Sequence, residues 1–498
     1  QSHAQEILKG RIRQLRPLGI TQGAVVILDS RNGELRAMVG SADFFDEKHQ
    51  GQVNGAVAAR SPGSTLKPFV YALAFDRGLT TADALIEDVP RWFADYSPKN
   101  YDGKFRGVVK TGEALQRSLN VPAVSLAAEM ETTDKGGLHQ FLKSAEVKSI
   151  DQPSSHYGLT LVLGGGEVTL LELASLYGLL ARQGVWLPTR DLQSPDSTPN
   201  SGRRLLGAPA SWLTMQELKG VNRPDPELLW QNTFRRFDIP WKTGTSYGHR
   251  DAWSVGIAGP WVVAVWLGNF AGEGSPHLTG GEVAAPLLFS LIEGLSLDDE
   301  GSWNQRPAGV SQRPICTLSG NPPGEFCDSE ITGFYLPGIS PTATCNIHRS
   351  VEVDALSGES VCSRCRGEGP TRKQAVQWWP PQVATYLLSG GLAQPNIPAH
   401  KPHCPAFGAG DAPVITSPQP DSEYFLRRGV PLEDQAMALE ASFSPNIRKV
   451  WWFADGVLLA ETEPGDKVFF LPKAGRHQFT VVDDAGRSGT RGMIVHPH

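Results

Sequence analysis

The chain carries β-type patterning in two places far apart, residues 23–40 and 237–270, and most of the sequence between them reads as helix. Strands must find partners for their backbone N–H and C=O groups. The late strands are therefore predicted to join the early ones in one sheet with helices packed against it, an α+β arrangement. The early pair reads as a hairpin. Alternating apolar runs at 23–29 and 34–40 flank Ser30-Arg31-Asn32-Gly33, and Asn and Gly both tolerate the positive φ of a tight turn. The late strands fall at 237–246, 252–258 and 261–270, with Gly259-Pro260 as a turn. Helices are expected at 4–16 (ended by Pro17), across 64–145 with a break near 100–107, after the triple glycine Gly164-Gly165-Gly166 to about 180, and at 283–295. A polar insert fills 188–205.

At 498 residues the chain is too long for one ordinary core, and two to three domains are expected. The divisions read as a linker remnant at 1–20, the α+β domain at 21–300, a cysteine- and proline-rich connecting segment at 301–410, and a terminal domain at 411–498. In that last part short strands at 450–453, 468–471, 479–482 and 492–495 alternate with turns such as Asp455-Gly456 and Ala474-Gly475, as in a small immunoglobulin-like β-sandwich. A net charge of -6 gives no bias toward nucleic acid. The longest apolar runs, 261–267 and 170–180, are too short to span a bilayer. The sequence starts at Gln1 without a charged and apolar leader, so a mature form or internal fragment is expected.

All six cysteines (Cys316, Cys327, Cys345, Cys362, Cys365, Cys404) fall between 316 and 404. Such clustering means one local framework, either disulfides or a metal knot. Cys316 and Cys327 flank the turn-rich Ser319-Gly320-Asn321-Pro322-Pro323-Gly324 and are expected to form a local bridge. The other four then have three possible pairings. Cys362-Ser363-Arg364-Cys365, with Cys345, His348 and His403 in the same segment, is the competing zinc signal. The reading favours disulfides and no metal, because a Pro/Gly-rich segment with so little apolar periodicity needs covalent ties.

Three short motifs carry chemistry. Ser64-Thr65-Leu66-Lys67 follows Pro62-Gly63, which can launch a helix and set Ser64 and Lys67 on one face. A serine hydroxyl needs a nearby base, and a lysine serves when its pKa is lowered. Alone, the motif reads as readily as a solvated helix start. Ser118-Leu119-Asn120 offers a hydroxyl that can relay a proton and an amide that can both donate and accept, though Ser-Leu-Asn-Val-Pro is also ordinary turn chemistry. Lys242-Thr243-Gly244-Thr245-Ser246 lies on a predicted strand. Its lysine and hydroxyls suit a carboxylate, Gly244 allows a substrate backbone close approach, and the N–H of Thr245 with that of Ser64 could form an oxyanion hole. Serine nucleophiles of penicillin-reactive enzymes carry these three motifs in this order and in these contexts.

On these motifs, and on residues 23–40, 61–69, 164–184 and 242–269, the chain resembles class A penicillin-binding proteins. Arg313-Pro314-Ile315-Cys316 and Val450-Trp451-Trp452-Phe453-Ala454-Asp455-Gly456 point to the 1C subtype. The resemblance implies a transpeptidase domain of the penicillin-binding protein and serine β-lactamase type, an antiparallel sheet flanked by helices, without the family's glycosyltransferase domain and membrane helix. It implies catalytic roles for Ser64 (nucleophile), Lys67 (base), Ser118 (relay) and Lys242, with Asn120, Thr243, Gly244 and Thr245 binding substrate. No cofactor is implied. Peptidoglycan stem peptides and β-lactams would be the ligands, and wall-synthesis proteins or an α2-macroglobulin-like protein the partners. The location would be the periplasm, tethered to the inner membrane through a helix outside this sequence. A β-lactamase and a non-catalytic sensor of β-lactams or muropeptides are the rival readings. Glu167 is read as a helix-start carboxylate rather than a deacylating base. Of Trp451 and Trp452, one ring is expected to face a core, and Trp378-Trp379-Pro380-Pro381 to be a packed linker.

Overall fold

The computed structural model describes residues 1–497 except 92, 94–95, 133–135, 191–201, 223–238, 296–304, 363–364, 381–382, 384–385, 388–396, 402–411, 421, 445–446 and 485–486. Two compact units divide the chain. The first comprises Gln1–Ala84, Lys110–Arg313 and Gly333–Pro341, and the second Leu85–Val109, Pro314–Thr332 and Thr342–His498.

The first unit is built on five antiparallel strands, β1 (Gln22–Asp29), β2 (Glu34–Val39), β3 (Trp241–Thr245), β4 (Asp251–Ala258) and β5 (Trp261–Gly268), in the order β2-β1-β5-β4-β3. The late strands thus close onto the early hairpin as the pattern predicted. Every residue of β1 is buried, so its apolar run is continuous rather than alternating, as befits a strand covered on both faces. The hairpin turn uses positive φ only at Gly33. Asn32 instead accepts the Glu34 N–H on its side-chain oxygen. Helix α1 (Ser2–Leu15) buries Ala4, Leu8, Ile12 and Leu15, one stripe at helical spacing, against one face of the sheet together with the late helix Ala285–Glu293. The helix Leu170–Ala181 covers the opposite face.

The expected long helical stretch is broken up. A 3₁₀ turn (Gly63–Leu66) leads into α2 (Lys67–Asp76), and α3 (Thr111–Gln116) and α4 (Asn120–Glu131) follow after residues Leu85–Val109, which belong to the second unit. Prolines and the Asn/Asp/Gly cluster of that excursion stop helix propagation, and Leu85–Asp88 is a strand. We number the helix Leu170–Ala181 α5 and Ala285–Glu293 α6.

In the second unit, His348–Asp354 and Thr371–Gln377 form an antiparallel pair that weak periodicity had hidden. The C-terminal part consists of a three-stranded and a five-stranded sheet sharing one core of Ile415, Leu439, Val450, Trp452, Val468, Phe479, Val481 and Met493, consistent with a β-sandwich. Trp452 is fully buried there, whereas Trp451 is half-buried and donates to Glu461 Oε2 at 3.1 Å. Asp455 and Gly456 both take positive φ, as their turn requires.

The disulfide expectation is overturned. Cys316, Cys327, Cys345 and Cys365 form no disulfide, and no Cys316–Cys327 bridge exists. Instead the sulfurs of Cys316, Cys327 and Cys345 turn toward one point together with His348. Cys404 and His403 lie outside the described residues.

Candidate active site

Ser64 sits in the 3₁₀ turn, half-buried, and Lys67 begins α2 as its first residue with no surface exposed. Strand β3 presses against this turn. A Cβ on Gly244 would come within 2.2 Å of Pro62 O and 2.7 Å of Thr65 Cγ2, and one on Gly63 (φ +52°) within 2.4 Å of Thr245 O. Glycine at 244 therefore serves contact with the serine turn, and the space beside its Cα is filled by Pro62 rather than open to a substrate backbone. Gly164 (φ +94°) closes a third side, where a Cβ would stand 2.6 Å from Gly63 N. Three hydrogen bonds tie the turn down: Trp253 Nε1 to Ser61 O at 2.8 Å, Ser61 Oγ to Gly164 O at 2.8 Å, and Tyr177 Oη to Thr65 O at 2.8 Å. Sequence reasoning missed Trp253 and Tyr177 because each lies in an apolar run that reads as core.

Ser118 and Asn120 mark the junction between α3 and α4. The Ser118 N–H bonds to Leu115 O at 3.0 Å and the Leu119 N–H to Ala114 O at 2.9 Å, a Schellman cap in which Ser118 takes the left-handed position (φ +57°) that glycine ordinarily fills. Asn120 is then the first residue of α4. This junction delivers both side chains to the lysines. Lys67 Nζ donates to Asn120 Oδ1 at 2.5 Å and to Ser118 O at 2.7 Å, and lies 3.5 Å from Ser118 Oγ. From the other side, Lys242 Nζ donates to Ser118 Oγ at 2.8 Å and to Thr243 O at 3.0 Å. Burial alone pushes the Lys242 amine down to about 7.

The pleat of β3 separates its functional side chains. Lys242 and Gly244 face the serine turn, whereas Trp241, Thr243 and Thr245 face the side where Trp241 packs with α6. Thr245 Oγ1 accepts the Gly280 N–H at 3.0 Å, and Thr243 Cβ lies against Gly280. The structure therefore brings Lys67, Ser118, Asn120 and Lys242 into one hydrogen-bonded cluster beside the turn that carries Ser64, and leaves the two threonine hydroxyls on the other face of the strand.

Glu167 is exposed and precedes the helix cap by two residues. The helix-start carboxylate is Glu172: with Thr169 it forms a capping box, and it also accepts from Lys148 N, Ser149 N and Ser149 Oγ. Thr-x-x-Glu ahead of an apolar run is the sequence signal for it.

A serine turn, two buried lysines and an intervening Ser/Asn junction on a sheet flanked by helices define a penicillin-binding transpeptidase domain. Family models match the chain at 23–267 (penicillin binding protein transpeptidase domain), 306–350 (penicillin-binding protein 1A, C-terminal domain) and 403–494 (penicillin-binding protein C-terminus family). The chain therefore carries a penicillin-binding protein transpeptidase domain at 23–267. It is similar to penicillin-binding protein 1C of Escherichia coli (strain K12), 30% identical over 492 residues that cover 95% of this chain and 61% of that protein. Penicillin-binding protein 1A of Neisseria meningitidis (strain Z2491) is 30% identical over 321 residues, 58% of this chain and 38% of that protein. The chain thus spans less than two thirds of the length of these relatives. The crystal structure of penicillin-binding protein 1A from Haemophilus influenzae shares the fold at a TM-score of 0.53 and 21% identity, covering 65% of this chain and 54% of that one.

Proposed function

We propose that this chain is a peptidoglycan D,D-transpeptidase working through an acyl-enzyme on Ser64, and that β-lactams acylate the same oxygen. The observation that carries this reading is the Lys67–Ser118–Lys242 cluster, a chain of exchangeable protons beside the serine turn. Ser64 Oγ bonds to the carbonyl carbon of the penultimate D-alanine of a stem peptide. Its proton passes to Lys67 in the neutral form. The amide bond to the terminal D-alanine breaks, and the leaving nitrogen takes a proton delivered through Ser118 from the lysine pair. An amine of a second stem peptide then attacks the ester, forms the cross-link and returns the proton to Ser64 Oγ. Asn120 would hold the substrate amide. Lys242 would receive the terminal carboxylate, whose charge favours the ammonium form against burial. Thr245 Oγ1, accepting from Gly280, keeps its own proton to donate to that carboxylate along the edge of β3 that pairs with no described strand, and Thr243 would support the same seat. The close approach of the Thr245 backbone to the serine turn supports an oxyanion hole from the Ser64 and Thr245 N–H groups.

Peptidoglycan lies outside the inner membrane, so the proposed site of action is the periplasm; no described helix is long and apolar enough to cross a membrane. Intact mass after incubation with benzylpenicillin tests the assignment. The expected result is one covalent adduct that persists for hours, is absent in Ser64→Ala, and is accompanied by cross-linked product when a stem-peptide donor and an amine acceptor are supplied. Adduct formation in Ser64→Ala sinks the nucleophile assignment. Rapid penicillin turnover makes the chain a β-lactamase, and stable acylation without transfer to any acceptor makes it a sensor.

A further inference from the structure

The free cysteines of the second unit are not scattered. Cys316 closes a strand (Ser311–Cys316), Cys327 follows the Pro322-Pro323-Gly324 turn, and Cys345 and His348 stand three residues apart at the entry to the strand His348–Asp354. Their ligand atoms, three Sγ and one ring nitrogen, all lie within 4.8 Å of one another. His348 Nδ1 is 3.3 Å from Cys316 Sγ and 3.6 Å from Cys345 Sγ. A tetrahedral zinc ion with Zn–S near 2.3 Å and Zn–N near 2.1 Å spaces its ligands about 3.6 Å apart for S···N and about 3.8 Å for S···S. The observed separations fall at that scale.

We infer that Cys316, Cys327, Cys345 and His348 form a closed structural metal site, and that its ion is zinc. Three arguments converge. Three sulfurs are an odd number, so any disulfide among them strands one thiol and leaves His348 without a task. A four-coordinate ion uses all four groups. Cys316 (0% exposed), Cys345 and His348 (8%) are buried and Cys327 is half-buried, and the apolar cluster around them is small: Ile347, Trp379 and Val383 with partly buried Leu85, Val108, Leu318 and Leu387. So thin a core gives little stability unaided, and an ion held by four groups from distant parts of the segment supplies the missing tie.

The surroundings also suit bound thiolates. The Ser319 N–H points at Cys316 Sγ at 3.5 Å and the Gly324 N–H at Cys327 Sγ at 3.3 Å, where each donor stabilises negative charge on sulfur. Asp328 Oδ2 lies 3.9 Å from His348 Nε2, so a carboxylate faces the ring nitrogen opposite the ligating one. Soft thiolate ligands with one imidazole select zinc over hard cations. Four protein ligands leave no open coordination position, so the ion is structural rather than catalytic. Cys362, Cys365 and His400 form a second group, with the two sulfurs 3.8 Å apart, but three ligands among the described residues do not close a site.

Metal analysis of the whole chain after gel filtration tests the proposal. Wild-type protein is expected to retain at least one equivalent of zinc. Cys345→Ser and His348→Ala are each expected to retain one equivalent fewer, while penicillin labelling verifies that the first unit is still folded. Because such variants can misfold, wild-type protein is also refolded with cobalt(II). Intense visible bands with thiolate-to-cobalt charge transfer are expected, together with three additional titratable thiols on removing the ion from this site. Zinc content unchanged by both variants overturns the assignment. So does metal-free wild-type protein in which alkylation and peptide mapping find a disulfide among Cys316, Cys327 and Cys345.

Discussion

The Lys242 amine stands 2.8 Å from Ser118 Oγ, a contact between the edge strand β3 and a helix junction 124 residues earlier in the chain. The junction presents that hydroxyl only because Ser118 occupies a left-handed cap position, at the usual conformational cost for a residue with a Cβ. Local stability and the proton path therefore make opposite demands on one residue.

Substitution separates those demands. Ser118→Gly is expected to raise stability by about 1 kcal/mol through relief of the left-handed strain, while slowing acylation by roughly 100-fold through loss of the relay. Ser118→Ala should lose the same rate without the stability gain. Urea unfolding and the rate of labelling by a fluorescent penicillin measure the two quantities. A Ser118→Gly protein that acylates at the wild-type rate removes Ser118 from the mechanism.

The depressed Lys242 amine makes a prediction about pH. An unfolded lysine keeps its proton to about 10.5, whereas the buried amine releases it near 7. Between these values the unfolded chain binds more protons, so this group makes folding more favourable as pH rises from about 7 toward 10.5, at no more than ~1.4 kcal/mol per pH unit. Below 7 both states are protonated and the contribution is flat at its least favourable. Lys242→Met lacks this slope, so the stability difference between wild type and variant should move toward wild type between pH 7 and 9.5. Urea titrations at both values decide it, and parallel pH dependences in the two proteins refute a depressed Lys242. In the proposed mechanism, acylation should also weaken above pH 7 as the ammonium needed for the carboxylate is lost, and Lys242→Arg should flatten that limb.

Much of this was legible in the sequence because it rests on local pattern. The Asn32-Gly33 turn, the paired β regions and the Asp455-Gly456 turn all declare themselves within a few residues. The three motifs were legible as strings, but not as geometry. Strand alternation could have separated Lys242 from Thr243 and Thr245, whereas the pressing of Gly244 onto Pro62 depends on a contact across 182 residues. The cysteines misled for a different reason. Spacing cannot tell a disulfide from a metal ligand set, and the odd count at one point in space, with His348 as the fourth member, emerges only on folding. Residues 85–109 read as helix with a break near 100–107, because nothing local marks a segment that belongs to another unit.

Gly244→Ala tests how tightly β3 must sit on the serine turn. The new methyl would meet the Pro62 carbonyl, a backbone atom that cannot rotate aside, so strand and turn have to separate. A loss of about 1–3 kcal/mol is expected, typical of overpacking, along with slower acylation as Ser64 shifts from the lysines. Gly281→Ala is the control, since a Cβ there meets nothing within 4 Å. Wild-type labelling kinetics in Gly244→Ala would show that the turn tolerates displacement.

The two glutamates near the triple glycine give the last prediction. Glu172 accepts from five donors: the Thr169 N–H that completes the capping box, the Thr169 hydroxyl at 3.0 Å, the Lys148 and Ser149 N–H groups, and the Ser149 hydroxyl at 2.6 Å. It therefore fixes both the start of α5, which covers one face of the sheet, and the end of the loop beside it. Glu172→Ala strips an acceptor from several half-buried donors at once and is expected to destabilise by about 1–3 kcal/mol. Glu167 is exposed and outside the cap, so Glu167→Ala should lie within about 0.5 kcal/mol of wild type. The same pair of variants tests whether Glu167 acts as a deacylating base. If it does, Glu167→Ala lengthens the lifetime of the penicilloyl adduct while leaving stability alone. The expected outcome is an unchanged lifetime in Glu167→Ala and a lower unfolding midpoint only in Glu172→Ala, read from adduct decay by mass spectrometry and from urea unfolding. An adduct stabilised several-fold in Glu167→Ala would return that residue to the active site.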